Sequence, residues 1–170
     1  MAAQLLVVYL AAAAVRPPRP EGQHFVTANL SNPIILYDGV CGLCHRFTQF
    51  VLKRDRKDQF RLASLQSGFA DRVLQRHGAN PQQLDTVYVV LNYEQPGEQL
   101  LSRSDAVVFV LGQLGGIWRA TAAVFAILPR WLRNAAYDLV ARNRYRLFGK
   151  YDTCLLPDPK YRGKFLDSFQ

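Results

Sequence analysis

Two cysteines with two residues between them, Cys41 and Cys44, close a short apolar run and open a helical pattern. No other feature limits the fold of this chain so tightly. Ile34-Ile35-Leu36-Tyr37 is a continuous apolar run of strand length that stops at a turn signal, Asp38-Gly39. From Cys44 the period turns helical: Phe47, Phe50 and Val51 share one face, while Arg46, Lys53 and Arg54 fall away from it. Gln59 to Leu65 then alternates through Phe60 and Leu62 as a strand does. Strand, helix, strand in that order predicts a parallel crossover.

The rest of the chain extends an α/β pattern. A helix is expected with Phe69, Val73 and Leu74 on one face and Gly78 as its stop. Val87 to Leu91 is an unbroken β-favouring run. Asn92 to Glu98, with Pro96-Gly97, reads as a hairpin loop to a strand near Leu100. Ser104-Asp105 offers an N-cap to a helix through Leu114. The apolar stretch from Ala106 to Leu128 is interrupted by Gln113, Gly115, Gly116 and Arg119, so it predicts two helices joined near the glycines, not one membrane helix. Trp131/Leu132, Ala135/Ala136 and Leu139/Val140 repeat every four residues, as in an amphipathic helix. The tail after Gly149, with Pro157 and Pro159, reads as irregular. Trp118 and Trp131 are most simply core or groove aromatics.

Length and composition exclude several classes. A chain of 170 residues, half apolar and one-fifth charged, is neither disordered, collagenous nor a coiled coil, and suits one core. Three cysteines do not make a disulfide scaffold. Against 13 acidic residues stand 21 Lys and Arg, a net +8 concentrated toward the C-terminus. That charge permits an anionic partner, but no nucleic-acid motif accompanies it, and no nucleic acid is expected. Residues 1–15 carry no charged side chain, are too short to span a bilayer, and lack the basic start of an export signal. Residues 1–32 are therefore expected to be an N-terminal extension, disordered or targeting, and residues 33–170 the folded domain. No membrane span is expected. The cytoplasm is the expected compartment, with export or organelle targeting left open by the apolar N-terminus.

The chemistry lies in Asp38-Gly39-Val40-Cys41-Gly42-Leu43-Cys44. With Cys41 just outside the helix and Cys44 one turn in, the sulfurs approach bonding distance. The first sulfur sits near unpaired N–H groups and the positive end of the helix dipole, which favour the reactive thiolate. Gly42 is expected to permit a tight turn, and Cys41 is expected to be exposed, with Cys44 more buried. Two other readings compete with a dithiol that cycles to a disulfide. A zinc site needs about four ligands, and Cys154, His24, His45 and His77 show no paired spacing, so no metal is expected. The other is a pair of inert structural thiols. Cys154 is either a third redox thiol or a small buried hydrophobe. His45 is expected to point to solvent, and the Arg142-to-Arg146 run to form a solvated face or bind an acidic partner.

The stretch Ile35 to Cys44, ILYDGVCGLC, resembles the DCC family of thiol-disulfide oxidoreductases. The likeness continues through Arg103-Ser104-Asp105-Ala106, through Ala141 to Gly149 (ARNRYRLFG), to Cys154 and to Arg162–Phe165. The resemblance implies a thioredoxin-like fold: a small mixed sheet flanked by helices, here with extra C-terminal helices. It implies thiol-disulfide exchange with Cys41 as nucleophile and Cys44 as resolving thiol. It implies no cofactor, and a protein or small-molecule disulfide or thiol as partner, glutathione among them. The alternative is a non-catalytic thioredoxin-like binding module that uses its basic C-terminal helix.

Comparison with thioredoxins adds accessory candidates. Their active-site-facing strand opens with a cis-proline; here Asp85 stands in that place, with a trans bond expected and a carboxylate expected to raise the Cys41 pKa. Their buried acid lies six residues before the first cysteine, where this chain has Ile35. Asp38, three before, either relays protons from Cys44 or caps the turn. In glutaredoxins the matching helix start carries a small-residue–acid pair that holds glutathione. By that likeness Ser104 and Asp105 would bind glutathione, with Arg103 offering a second carboxylate contact.

Overall fold

The computed structural model describes residues 32–82, 84–151 and 158–167. Residues 1–31 and Cys154 lie outside them, so the expectations for the N-terminal extension and for a third thiol do too.

Four strands form one mixed sheet: β1 (Ile34–Tyr37), β2 (Arg61–Ser64), β3 (Tyr88–Leu91) and β4 (Gln99–Ser102), in the order β2-β1-β3-β4. The first helix, α1 (Gly42–Arg54), links β1 to β2, which pair in parallel with Ile35 opposite Leu62. β3 runs antiparallel to both β1 and β4, with Val89 facing Ile35 on one side and Leu101 on the other. With its helices this is the thioredoxin-like α/β arrangement.

The continuous apolar character of β1 follows from its position, because a central strand is covered on both faces. Side chains alternate between two cores. Ile35, Leu62 and Val89 pack with Val51 and Leu52 of α1 and with Ala106 and Val110 of α3 (Arg103–Leu114). Ile34, Leu36, Ala63, Tyr88 and Val90 pack on the other face with Phe69, Val73 and Leu74 of α2 (Gly68–Arg76). Gly78, in the left-handed region at φ +66°, ends α2 as expected.

The remaining helices are α4 (Gly116–Ile127) and α5 (Arg130–Phe148). The chain passes from α3 to α4 through Gly115 and Gly116 at φ +73° and +54°, values that glycine adopts without strain. Among the described residues no helix is long and apolar enough to cross a membrane.

Three expectations are corrected. First, Ser104 is not the N-cap of α3. β4 runs straight into the helix, so Ser102 takes the extended capping position, Arg103 is left-handed at φ +53°, and the Ser104 hydroxyl instead donates to Asn134 Oδ1 at 2.6 Å. Second, the apolar stripe of α5 faces outward: Trp131, Leu132, Leu139 and Val140 are exposed, while Ala141 and Arg144 are buried. A four-residue period fixes the stripe but not the side that meets the core. Third, the tail read as irregular contains a regular turn. A 3₁₀ turn, Pro159–Lys164, places Phe165 edge-on to Tyr37 at 6.2 Å and Lys164 2.8 Å from the Asp55 carboxylate.

Candidate active site

The Asp38–Gly39 turn delivers Cys41 to the N-cap of α1 in extended backbone, φ −89° and ψ 123°, and Cys44 into the first helical turn. The Cys41 amide donates to the Asp38 carbonyl at 3.3 Å, and the His45 amide returns to the Cys41 carbonyl at 2.9 Å. Both thiols are free. The Cys41 thiol is lowered to about 6, first by the hydrogen bond from Cys44 and then, against burial, by the main-chain N–H groups of Cys44 and Leu43. The same shared proton drives the Cys44 thiol upward, and burial adds to the rise. One sulfur is biased to thiolate and the other to thiol, across a single helical turn.

Exposure differs from expectation. Cys41 is 0 % exposed and Cys44 7 %. The residues that follow α5 form a strap over Cys41. The Gly42 amide donates to the Gly149 carbonyl at 3.1 Å, the Tyr151 amide donates to the Val40 carbonyl at 2.8 Å, and Cys41 and Lys150 form an isolated β-bridge. A Cβ on Gly42 would strike the carbonyl of Phe148. Glycine is required there by this close approach rather than by a turn.

Asp38 is wholly buried beneath the pair. Its Oδ1 accepts from the Val40 amide at 3.1 Å and from Gln66 Nε2 at 2.8 Å, so it does cap the turn. Its Oδ2 accepts from the Tyr145 hydroxyl at 2.5 Å and faces Arg144 Nη2 at 3.4 Å. Arg144 also donates to the Tyr145 hydroxyl at 2.8 Å. Burial, then the Asp38 carboxylate, pushes the Tyr145 phenol up to about 12. The Asp38 charge raises both thiols.

Gln66, Arg144 and Tyr145 are the site residues that sequence reasoning passed over. Arg144 sits inside a basic run that reads as a solvated face, yet it is buried against Asp38. The available signal was the Ala141–Gly149 motif, which carries Arg144 and Tyr145 together.

A cavity of about 380 Å³ reaches Cys44 between α3, α4 and α5. Of the expected accessory residues, Asp85 and Ser104 line it with Cys44. No peptide bond is cis among the described residues, and Asp85 itself is exposed. Arg103 pairs with Asp138 at 3.4 Å, and Asp105 pairs with Arg130 and, at 3.1 Å, with Arg133. The Asp105 carboxylate is thus already held by two guanidinium groups of α5. His45 is half-buried with its ring edge-on to Tyr151 at 6.4 Å, and burial lowers its pKa. Among the described residues no three His, Cys, Asp or Glu side chains gather as metal ligands.

The sequence model of the DCC1-like thiol-disulfide oxidoreductase family matches residues 35–150. The uncharacterized protein YuxK of Bacillus subtilis (strain 168) is 34% identical over 137 residues, 81% of this chain and 96% of that protein. The chloroplastic DCC family protein At1g52590 of Arabidopsis thaliana is 33% identical over 124 residues, 73% of this chain and 69% of that protein. No solved structure matches.

Proposed function

Starting from the fact that this chain belongs to the DCC1-like thiol-disulfide oxidoreductase family, we propose that Cys41 and Cys44 are its working dithiol, acting on a protein or small-molecule disulfide. The supporting observation is the opposite bias of two free sulfurs one helical turn apart. Cys41 thiolate attacks one sulfur of the substrate disulfide, forms a mixed disulfide and expels the other sulfur as thiolate. Cys44 then loses its proton and attacks the Cys41 sulfur. The Cys41–Cys44 disulfide forms, and the second substrate thiolate leaves. In total, a dithiol and a disulfide exchange two electrons and two protons. The reverse sequence oxidises a substrate dithiol.

Asp38 serves this scheme as a positioning residue. Its carbonyl and carboxylate hold the turn that presents Cys41, while the proton shared with Cys41, burial and the Cys41 thiolate keep Cys44 protonated until the mixed disulfide has removed that thiolate; the Asp38 charge adds only a minor push in the same direction. Substrate reaches Cys41 when the strap at 149–151 moves aside. No cofactor is needed for these steps.

The complete burial of Cys41 favours a second reading, a non-catalytic thioredoxin-like module in which α5 meets a partner. Trapping separates the two. Cys44→Ser should accumulate mixed disulfides on Cys41 when offered oxidised glutathione or a disulfide-bonded peptide, and Cys41→Ser should accumulate none. A Cys44→Ser protein that forms no adduct over hours would leave the module.

A further inference from the structure

A 12-residue helix that packs on a domain normally buries a stripe; among the residues of α4 only Ala122 is buried. Ile117, Val124 and Ile127, spaced by seven and three on one side of α4, stand exposed, Ile127 at 82 %. The chain turns at Leu128-Pro129 into α5, where Trp131 is 72 % exposed and Leu139, two turns on, 63 %. Phe125 of α4, Leu128 of the turn, and Leu132 and Val140 of α5 line one cavity, so apolar side chains of the two helices meet there. Scattered apolar side chains on a surface need no explanation, whereas a contiguous patch built from two helices does.

The charge of this region selects the occupant. Residues 106–137 contain no acidic side chain; with Arg130 and Arg133 paired to Asp105, Arg119 carries the remaining positive charge of this segment. Arg142 and Arg146 continue the exposed basic character along α5. The nearby carboxylates are already paired, Asp105 with Arg130 and Arg133, and Asp138 with Arg103. A second copy set against this face would bring arginines to arginines. A bilayer with anionic headgroups would receive both components: apolar side chains among the upper acyl carbons, guanidinium groups at the phosphates and Trp131 at the boundary, where indole is favoured.

We propose that α4 and α5 form a docking surface for anionic membranes, on which the protein lies without spanning. Phe125, Leu128, Leu132 and Val140, exposed residues of the same two helices and their turn, line the cavity that reaches Cys44, so docking sets the lipid beside that route to the resolving thiol.

The test uses the full chain with vesicles of phosphatidylcholine alone and of phosphatidylcholine mixed with phosphatidylglycerol, read by flotation. Binding is expected only to the mixed vesicles, weakening as salt rises. Ile127→Ser combined with Leu139→Ser, both at exposed positions, should lower the partition coefficient roughly tenfold. Arg119→Glu with Arg142→Glu should lower it comparably, with circular dichroism unchanged in both pairs. With Trp118 replaced by Phe, emission from Trp131 should shift to the blue on binding. Three results would overturn the proposal. One is no flotation with the mixed vesicles. Another is binding that survives both pairs of substitutions, which assigns it to another segment such as residues 1–15. The last is a dimer in solution that Ile127→Ser dissociates while vesicles remain unbound, which gives the face to a second copy.

Discussion

Replacing Gly42 by alanine sets two well-defined effects against each other. Gly42 is the first residue of α1, where helix propensity favours alanine by at most the helix-interior value of about 1 kcal/mol. The new Cβ, however, would penetrate the Phe148 carbonyl oxygen and lie 3.0 Å from its carbon and 3.2 Å from the Gly149 oxygen. All three are backbone atoms, so no side-chain rotation relieves the clash. The strap must retreat, stretching the bond from the Gly42 amide to Gly149 and the Cys41–Lys150 bridge. Overpacking of this kind costs about 1–3 kcal/mol and a lost hydrogen bond about 1 more. After the propensity gain the variant should lose about 1–3 kcal/mol in urea denaturation of the reduced protein. Because the same strap covers Cys41, its alkylation at fixed pH should be faster than in the wild type, read by quenched iodoacetamide labelling and peptide mapping. A Gly42→Ala protein that is more stable than wild type, with unchanged labelling, would refute the account of the strap.

Asp38→Asn removes the buried charge that raises both thiols, so the Cys41 pKa should fall further; it also leaves Arg144 unpaired inside, at about 3–5 kcal/mol of stability. Ultraviolet thiolate titration and denaturation check the two halves, and Asp85→Asn should leave the thiolate titration unaltered, because the carboxylate beneath the pair is that of Asp38. Cys41 ionises near pH 6 in the fold and near 8.5 when unfolded, so its contribution is present above the unfolded value and is lost as pH falls through 6. The stability of the reduced protein relative to Cys41→Ser should therefore rise between pH 6 and about 8.5, by at most ~1.4 kcal/mol per unit, and Cys44, held protonated, opposes this only above that range. Asp105→Ala should leave Arg133 without its partner and destabilise the contact between α3 and α5 by about 1–2 kcal/mol; an increased glutathione KM with unchanged stability would instead support a direct grip on the tripeptide.

Much of this architecture is legible in the sequence because local rules and burial agree. The four strands, the α1 face carrying Phe47, Phe50 and Val51, and the stop at Gly78 each follow from period and turn chemistry. The Cys41–Cys44 placement follows from one helical boundary. What stayed hidden depends on contacts distant in sequence. The strap at 149–151 meets Cys41 more than a hundred residues later in the chain, and nothing local marks that approach except the glycine at 42. Arg144 has the composition of a surface residue and becomes buried only because Asp38 waits beneath α5. Ser104 has the residue type of a cap, but the direct junction of β4 with α3 gives that place to Ser102. The outward stripe of α5 is the same kind of case, since polar side chains with buried partners decided which side faces the core.

The central claim is that Cys41 and Cys44 form a reversible two-electron couple. Equilibrating the full chain in glutathione buffers of graded potential, quenching with acid and mapping the bridge by mass spectrometry tests this most directly. The account predicts a Cys41–Cys44 disulfide that appears and disappears along one transition, with a tenfold change in its equilibrium per about 30 mV, and that is absent in Cys41→Ser and in Cys44→Ser. A protein whose two thiols stay reduced, or form only separate glutathione adducts across the whole range, would contradict it.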